Sequence, residues 1–144
     1  MIRIVAVGKK HESWIMDGLA RYKKRLRAPF DVQWTLLPYS DLETESQVIL
    51  SKLKSDEYVV LLDERGHNFN SVELSDKLAT TFANKNVTLI IGGAYGVNAD
   101  VQSRVDMIWS LSNLVFPHML VRLILIEQVY RAQEIYHNRP YHHK

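Results

Sequence analysis

The residues best suited to chemistry in this chain are glycines, a run of cations and a few histidines. Gly92-Gly93-Ala94-Tyr95-Gly96 follows directly on the apolar run Val87-Thr88-Leu89-Ile90-Ile91. Paired glycines there let a ligand approach the backbone closely, because no Cβ intervenes; they equally serve a tight turn that needs positive φ. Arg21, Lys23, Lys24, Arg25 and Arg27 place five cations within seven residues. Such a cluster neutralises phosphates when nucleic acid is the partner, and otherwise forms a solvated helix face. The six histidines are not at zinc-ligand spacing, and His142-His143 are adjacent, which suits a surface tail better than a metal cage. The chain lacks cysteine, so disulfides, thiolate metal sites and a cysteine nucleophile are excluded together. The phosphate-loop pattern G-x-x-x-x-G-K-[ST] and the hydrolase pattern G-x-S-x-G are absent. A dinucleotide-binding fold would carry its glycines after the first strand, where only Gly8 stands.

The elements that must position these groups are readable from periodicity. Ile2–Val7 reads as a strand buried on both faces and closed by Gly8. Ser13 to Arg27 carries Ile15, Leu19, Tyr22 and Leu26 at helical spacing, with the cations on its other sides, and Pro29 stops it. Val32, Trp34 and Leu36 alternate with polar neighbours, giving a second strand before Pro38. Leu42 to Leu53 suits a helix capped by Ser40 or Asp41. Tyr58–Leu62 is a third strand, ended by the charged turn Asp63-Glu64-Arg65-Gly66. Asn70 and Glu73 have capping-box spacing for a helix whose Leu74, Leu78 and Phe82 face inward. After the strand Val87–Ile91 come a short helix over 99–104 and a fifth strand over 107–111. A final helix runs from Pro117 to about His137, with proline in the first-turn position it prefers.

Strands alternating with helices specify an α/β fold: a mostly parallel sheet with helices on both faces, in one domain spanning 1–144. The last helix is apolar nearly all the way round over Met119–Ile126, so it must be covered on more than one side. In a chain this small, a second subunit is the expected cover. With 47% hydrophobic residues the chain buries a core without staples. Its N-terminus is too short and strand-like for a signal peptide, and no apolar run approaches a membrane span. An intracellular, cytoplasmic protein is expected. The net charge of +2 is segregated: residues 1–40 carry eight Lys/Arg against three acids.

Four blocks in the C-terminal half, in this order and spacing, carry a resemblance. They are Ile90-Ile91-Gly92-Gly93-Ala94-Tyr95-Gly96, then Trp109-Ser110-Leu111-Ser112-Asn113-Leu114-Val115-Phe116-Pro117-His118, then Leu125-Ile126-Glu127-Gln128-Val129-Tyr130-Arg131-Ala132, and finally Pro140-Tyr141-His142-His143-Lys144. Together with Ile4-Val5-Ala6-Val7-Gly8-Lys9 and Leu62-Asp63-Glu64-Arg65-Gly66, they resemble the bacterial large-subunit (23S) rRNA pseudouridine N3-methyltransferases of the SPOUT class. The resemblance covers essentially the whole chain.

It implies a parallel sheet with a C-terminal trefoil knot, S-adenosylmethionine as methyl donor, no metal, and a homodimer acting on large-subunit rRNA within the ribosome. By motif, it implies a cofactor pocket made of Leu62, Gly92, Leu111, Ser112, Asn113, Leu114, Val115 and Phe116. The acceptor nitrogen, N3 of pseudouridine, is an imide that must lose its proton, so a base or water path is required and nearby cations help. His118, Arg122, Tyr141, His142 and His143 are the candidates for this work. His118 otherwise caps its helix, Arg122 otherwise joins an ion pair with Glu127 or a partner's acid, and the tail otherwise frays. Family members end in Tyr-His followed directly by Lys or Arg; here His143 takes that slot and Lys144 follows. Arg21, Lys23, Lys24, Arg25 and Arg27 are the expected RNA contacts. Two alternatives stay open: a SPOUT enzyme with another rRNA or tRNA target, and a non-catalytic ribosome-assembly protein that binds RNA.

Overall fold

The computed structural model describes residues 1–143; Lys144, one of the two candidates for the terminal cation, lies outside them. Ten elements follow one another: β1 (Ile2–Val7), α1 (Ser13–Lys23), β2 (Val32–Leu37), α2 (Leu42–Lys52), β3 (Tyr58–Asn68), α3 (Ser71–Phe82), β4 (Val87–Ile91), α4 (Ala99–Arg104), β5 (Met107–Ser110) and α5 (His118–Tyr136). The strands form one five-stranded sheet in the order β2-β1-β4-β3-β5, and every neighbouring pair is parallel. All C-terminal strand ends therefore point the same way, where loops leave a crevice for ligands.

Side-chain alternation in β1 divides the core. Ile2, Ile4 and Ala6 face one side, under α1, α3 and α5; Val5 and Val7 face the other, with Ile49 of α2 and Val101 of α4. β4 is buried throughout, as a strand covered on both faces must be. Asp41 caps α2 by accepting from the Thr44 amide at 2.8 Å. Asn70 and Glu73 form the reciprocal capping box of α3.

Four expectations from the sequence need correction. First, α1 ends at Lys23, not Arg27. Gln133, buried on α5, donates to the Arg25 carbonyl and accepts from the Arg27 amide. It thereby takes up backbone groups that a longer helix would use, so the five cations do not share one helix face. Second, Asp63–Gly66 does not end β3. Leu62 and His67 both pair with Trp109, so the four residues between them bulge from a strand that resumes beside β5. Gly66 permits this, since a Cβ there would stand 2.6 Å from the Ile108 backbone. Third, β5 stops at Ser110, whose hydroxyl donates to the Ser112 carbonyl and turns the chain early. Fourth, Pro117 precedes α5 as its N-cap, in an extended conformation.

Candidate active site

Three loops at the C-terminal ends of the strands enclose one cavity of about 670 Å³. They are the β3 bulge with Leu62–Arg65, the loop Gly92–Val97 after β4, and the segment after β5 that contributes Leu111, Ser112, Leu114, Val115 and Phe116. The glycine loop is a closed turn, in which the Gly96 amide donates to the Gly93 carbonyl at 3.0 Å. Gly96 holds φ at +78°, a region that L side chains rarely adopt. The sequence left two readings of these glycines, a turn or a close approach for a ligand. The structure has the turn, with positive φ at Gly96 alone of these glycines, and Gly92 and Gly93 lie on the wall of the cavity.

Of the residues expected to hold a cofactor, Leu62, Gly92, Leu111, Ser112, Leu114, Val115 and Phe116 all line this cavity. Asn113 is exposed and is not part of the wall. Leu114 and Val115 are 69% and 78% exposed, a large apolar surface beside a cavity mouth. In the β3 bulge, Asp63 accepts from the Arg65 side chain at 2.8 and 3.1 Å and from its amide. The Arg65 hydrogen bonds hold the Asp63 carboxyl below its ordinary range.

His118 enters the same cavity from the first turn of α5 and makes no helix cap. Burial, and then the charge of Arg122, push its pKa below the ordinary 6.5; Glu45 opposes them. The lowering favours the neutral imidazole, the form able to accept a proton. Arg122, one turn on, is fully buried and has no carboxylate partner among the described residues. Instead its Nη2 donates to the Val7 and Gly8 carbonyls at 3.1 and 3.0 Å, and its Nη1 to the Lys10 carbonyl and His11 Nδ1, each at 3.1 Å. The expected ion pair with Glu127 does not form, because Glu127 is bound by Arg131 and Tyr141. Glu45, also buried, accepts from the Ser40 amide, and a Cβ on Gly93 would meet its carboxylate at 2.5 Å.

On the other side of the segment after β5 lies a second cavity of about 740 Å³. It shares Trp109, Leu111, Ser112 and Phe116 with the first and adds Phe69, Ser71, Gln128 and His142. The C-terminal tail is tied down here. Tyr141 donates to Glu127 at 3.1 Å and packs edge-on against Tyr130, and Arg131 stands 4.8 Å over its ring. Arg131 also donates to His142 Nδ1 at 3.1 Å, leaving that ring's proton on Nε2. Burial, then its hydrogen bond with Tyr22 and the Glu127 charge, raise the Tyr141 pKa, so it cannot serve as a phenolate base. His143 is exposed. Of the five catalytic candidates, His118 thus lines the first cavity and His142 the second, while Arg122 is buried under residues 7–11 and Tyr141 is tied to Glu127.

The basic cluster lies elsewhere. α1 leaves the C-terminal end of β1 and travels back about 16 Å, at 1.5 Å per residue. Lys24, Arg25 and Arg27 therefore sit near the N-terminal strand ends, where the Ile2 amide donates to the Asp31 carbonyl. Among the described residues no three His, Cys, Asp or Glu side chains are grouped to hold a metal, and no helix is long and apolar enough to cross a membrane.

A family described as predicted SPOUT methyltransferase matches residues 1–142. The chain belongs to the SPOUT methyltransferase family. It is 41% identical to the ribosomal RNA large subunit methyltransferase H of Desulfitobacterium hafniense strain DSM 10664 / DCB-2, with 98% of each chain covered. It is 42% identical to the protein of the same name from Prochlorococcus marinus strain MIT 9301, covering 98% of this chain and 94% of that one. Among solved structures it is similar to a probable methylase family protein from Haemophilus influenzae Rd KW20, at TM-score 0.54 and 16% identity. That match covers 95% of this chain and 66% of the other. For a SPOUT methyltransferase, the sequence missed the buried Glu45, the exposed Tyr39 and the Arg131–Glu127 pair. Only the last left a signal, the i,i+4 spacing of opposite charges.

Proposed function

We propose that this chain is an S-adenosylmethionine-dependent methyltransferase of large-subunit rRNA, acting as a cytoplasmic homodimer on N3 of a pseudouridine. The observation that carries the reading is the meeting of three strand-end loops, all expected from the family resemblance, around one cavity. Its volume lies within the range of about 300–1,000 Å³ usual for small-molecule sites. Its wall suits a nucleoside bearing a sulfonium: backbone amides and carbonyls from Gly92–Gly96, with apolar Leu62, Leu111, Leu114 and Phe116 around them. S-adenosylmethionine supplies an electrophilic methyl group, so the protein's task is to align it and to prepare the acceptor.

His118 is our candidate to take the N3 proton: burial first, and the Arg122 charge second, favour its neutral imidazole. The second cavity adjoins the first, shares Leu111, Ser112 and Phe116 with it and has His142 in its wall, so it can admit the target base beside the methyl donor. Leu120 and Ile124, half-exposed on one face of α5, together with exposed Leu114 and Val115, supply the apolar surface for a second copy. The similarity to relatives named as large-subunit rRNA methyltransferases supports the substrate class.

Calorimetric titration with S-adenosylmethionine, followed by methyl transfer to isolated large ribosomal subunits, tests the reading. Saturable binding and incorporation of label into large-subunit rRNA are expected. Gly92→Val carries two methyl groups from a Cβ that already lies 3.1 Å from the Gly96 carbonyl, and should lose at least tenfold in cofactor affinity. Thermal melting separates lost binding from lost folding. Absence of cofactor binding by the parent leaves an RNA-binding assembly protein; transfer to tRNA alone changes the substrate.

A further inference from the structure

We infer that the RNA approaches the loop after β1, with Lys9, Lys10 and Tyr39 as its contacts and the buried Arg122 as the residue that positions them. The inference rests on the rRNA methyltransferase reading and assigns the contact surface that reading leaves open. Residues 8–12 leave β1 at the cavity end of the sheet: Ala6 pairs with Ile91, and Gly92 of the cavity wall is the next residue of β4's chain. The loop lies over the start of α5, where the Glu12 amide meets the Met119 sulfur at 3.4 Å. Lys9 and Lys10 are exposed, and Tyr39 is 64% exposed.

An exposed loop held this firmly is unusual. Arg122 reaches up from α5 and binds three successive points of it, the carbonyls of Val7, Gly8 and Lys10, and then His11. Its Nε atom is buried without a hydrogen-bond partner among the described residues. A buried guanidinium without a carboxylate costs stability that a hydrophobic side chain of similar volume would not. The return for that cost is geometric: Arg122 locks the lysine loop to the helix that bears His118. Trp34 holds His11 from the other side, ring centres 4.6 Å apart. Gly8, at φ +121°, leaves room for the Arg122 guanidinium and the Tyr39 hydroxyl, which would stand 2.7 and 2.9 Å from a Cβ there. Tyr39 thus meets the loop at Gly8, the residue before Lys9, with most of its side chain in solvent. Two ammonium groups beside an aromatic ring suit single-stranded RNA, whose phosphates need cations and whose splayed bases stack. The cluster at Arg21–Arg27 has more charge, but its last three cations lie at the opposite end of the sheet from the cofactor cavity.

The test compares Lys9→Glu/Lys10→Glu with Lys23→Glu/Lys24→Glu, using methyl transfer to large ribosomal subunits at several KCl concentrations. All four lysines are exposed, so both variants should fold and bind S-adenosylmethionine within twofold of the parent. The loop variant should raise KM for the subunits at least tenfold and flatten the salt dependence of log KM by about one to two, since each lost phosphate contact removes roughly 0.7–0.9 from the slope. Tyr39→Ala should raise KM without changing the slope. Arg122→Met, if it melts as a folded protein, should raise KM with cofactor affinity unchanged; any change in kcat, which its charge near His118 leads one to expect, is read separately from KM. A loop variant with the parent's KM and slope overturns the inference, and a loss confined to Lys23→Glu/Lys24→Glu moves the RNA to the other end. A parent that transfers no methyl group overturns the functional reading instead.

Discussion

Arg122 charges its surroundings as well as tethering them, and two histidines record it. Burial comes first and the Arg122 cation second in lowering the pKa of both His11 and His118 from 6.5. A histidine depressed by folding binds its proton more weakly in the native state than in the unfolded chain. Between the two pKa values the unfolded state therefore holds more protons, and stability rises with pH. The contribution is present in full above about pH 7 and falls as the pH drops through 6.5 towards the folded values. Urea unfolding at intervals from about pH 8 to 5 should show this loss, and His11→Gln/His118→Asn should flatten it. An unchanged slope in the double variant would assign the dependence to other groups. Asp41 and Asp63, whose pKa values are lowered by their hydrogen bonds, act in a separate, more acidic window. None of this was legible in the sequence, which offered Arg122 as a catalytic candidate or else as half of an ion pair with Glu127 or a partner's acid. Periodicity identifies the residue as inward-facing, but backbone carbonyls leave no mark in a sequence.

At the scale of the elements, local signals were read well wherever a local interaction decides the outcome. The capping box of α3 is one case: Asn70 accepts from the Glu73 amide at 2.8 Å, and the Glu73 carboxylate accepts from the Asn70 amide at 2.9 Å. Asn70→Ala removes one half of it and should cost about 1 kcal/mol, or about 2–4 °C in Tm for a chain of this size. Asn70 also lines the second cavity, so methyl transfer to large ribosomal subunits should be measured beside the melt; unchanged stability would show that the cap is dispensable. Elements were misread where a distant partner intervenes. α1 stops early because Gln133, 106 residues from Arg27 in sequence, takes the Arg27 amide. The β3 bulge looked like a turn because its charged residues have turn composition. Only the second pairing with Trp109 shows that the strand continues. The three loops that line the first cavity were legible through family resemblance and strand position, since glycines and short polar residues at strand ends are sequence-local features.

For the whole molecule, the sequence indicated that α5 needs covering on more than one side, and the structure divides that demand. Met119, Arg122, Leu125 and Ile126 are buried by this chain, and Leu123 packs so closely on α1 that a Cβ on Gly18 would stand 2.8 Å from it. Charges at Leu123 or Ile126 would therefore test folding, not association. Leu120 and Ile124 are different: one helical turn apart, half-exposed, and outside both core clusters. If a second copy completes the enzyme, their face is where it sits, and Leu114 and Val115 extend the surface towards the cavity mouth. Sedimentation of the parent at micromolar concentration should give a dimer. Leu120→Asp would bury an unpaired charge in that interface, a cost of several kcal/mol, but leave the monomer's core intact. It should sediment as a folded monomer, with methyl transfer reduced at least tenfold. Circular dichroism tells dissociation from unfolding. A Leu120→Asp protein that remains dimeric would move the interface off this face, and a monomeric variant with full activity would show that one chain holds the complete site.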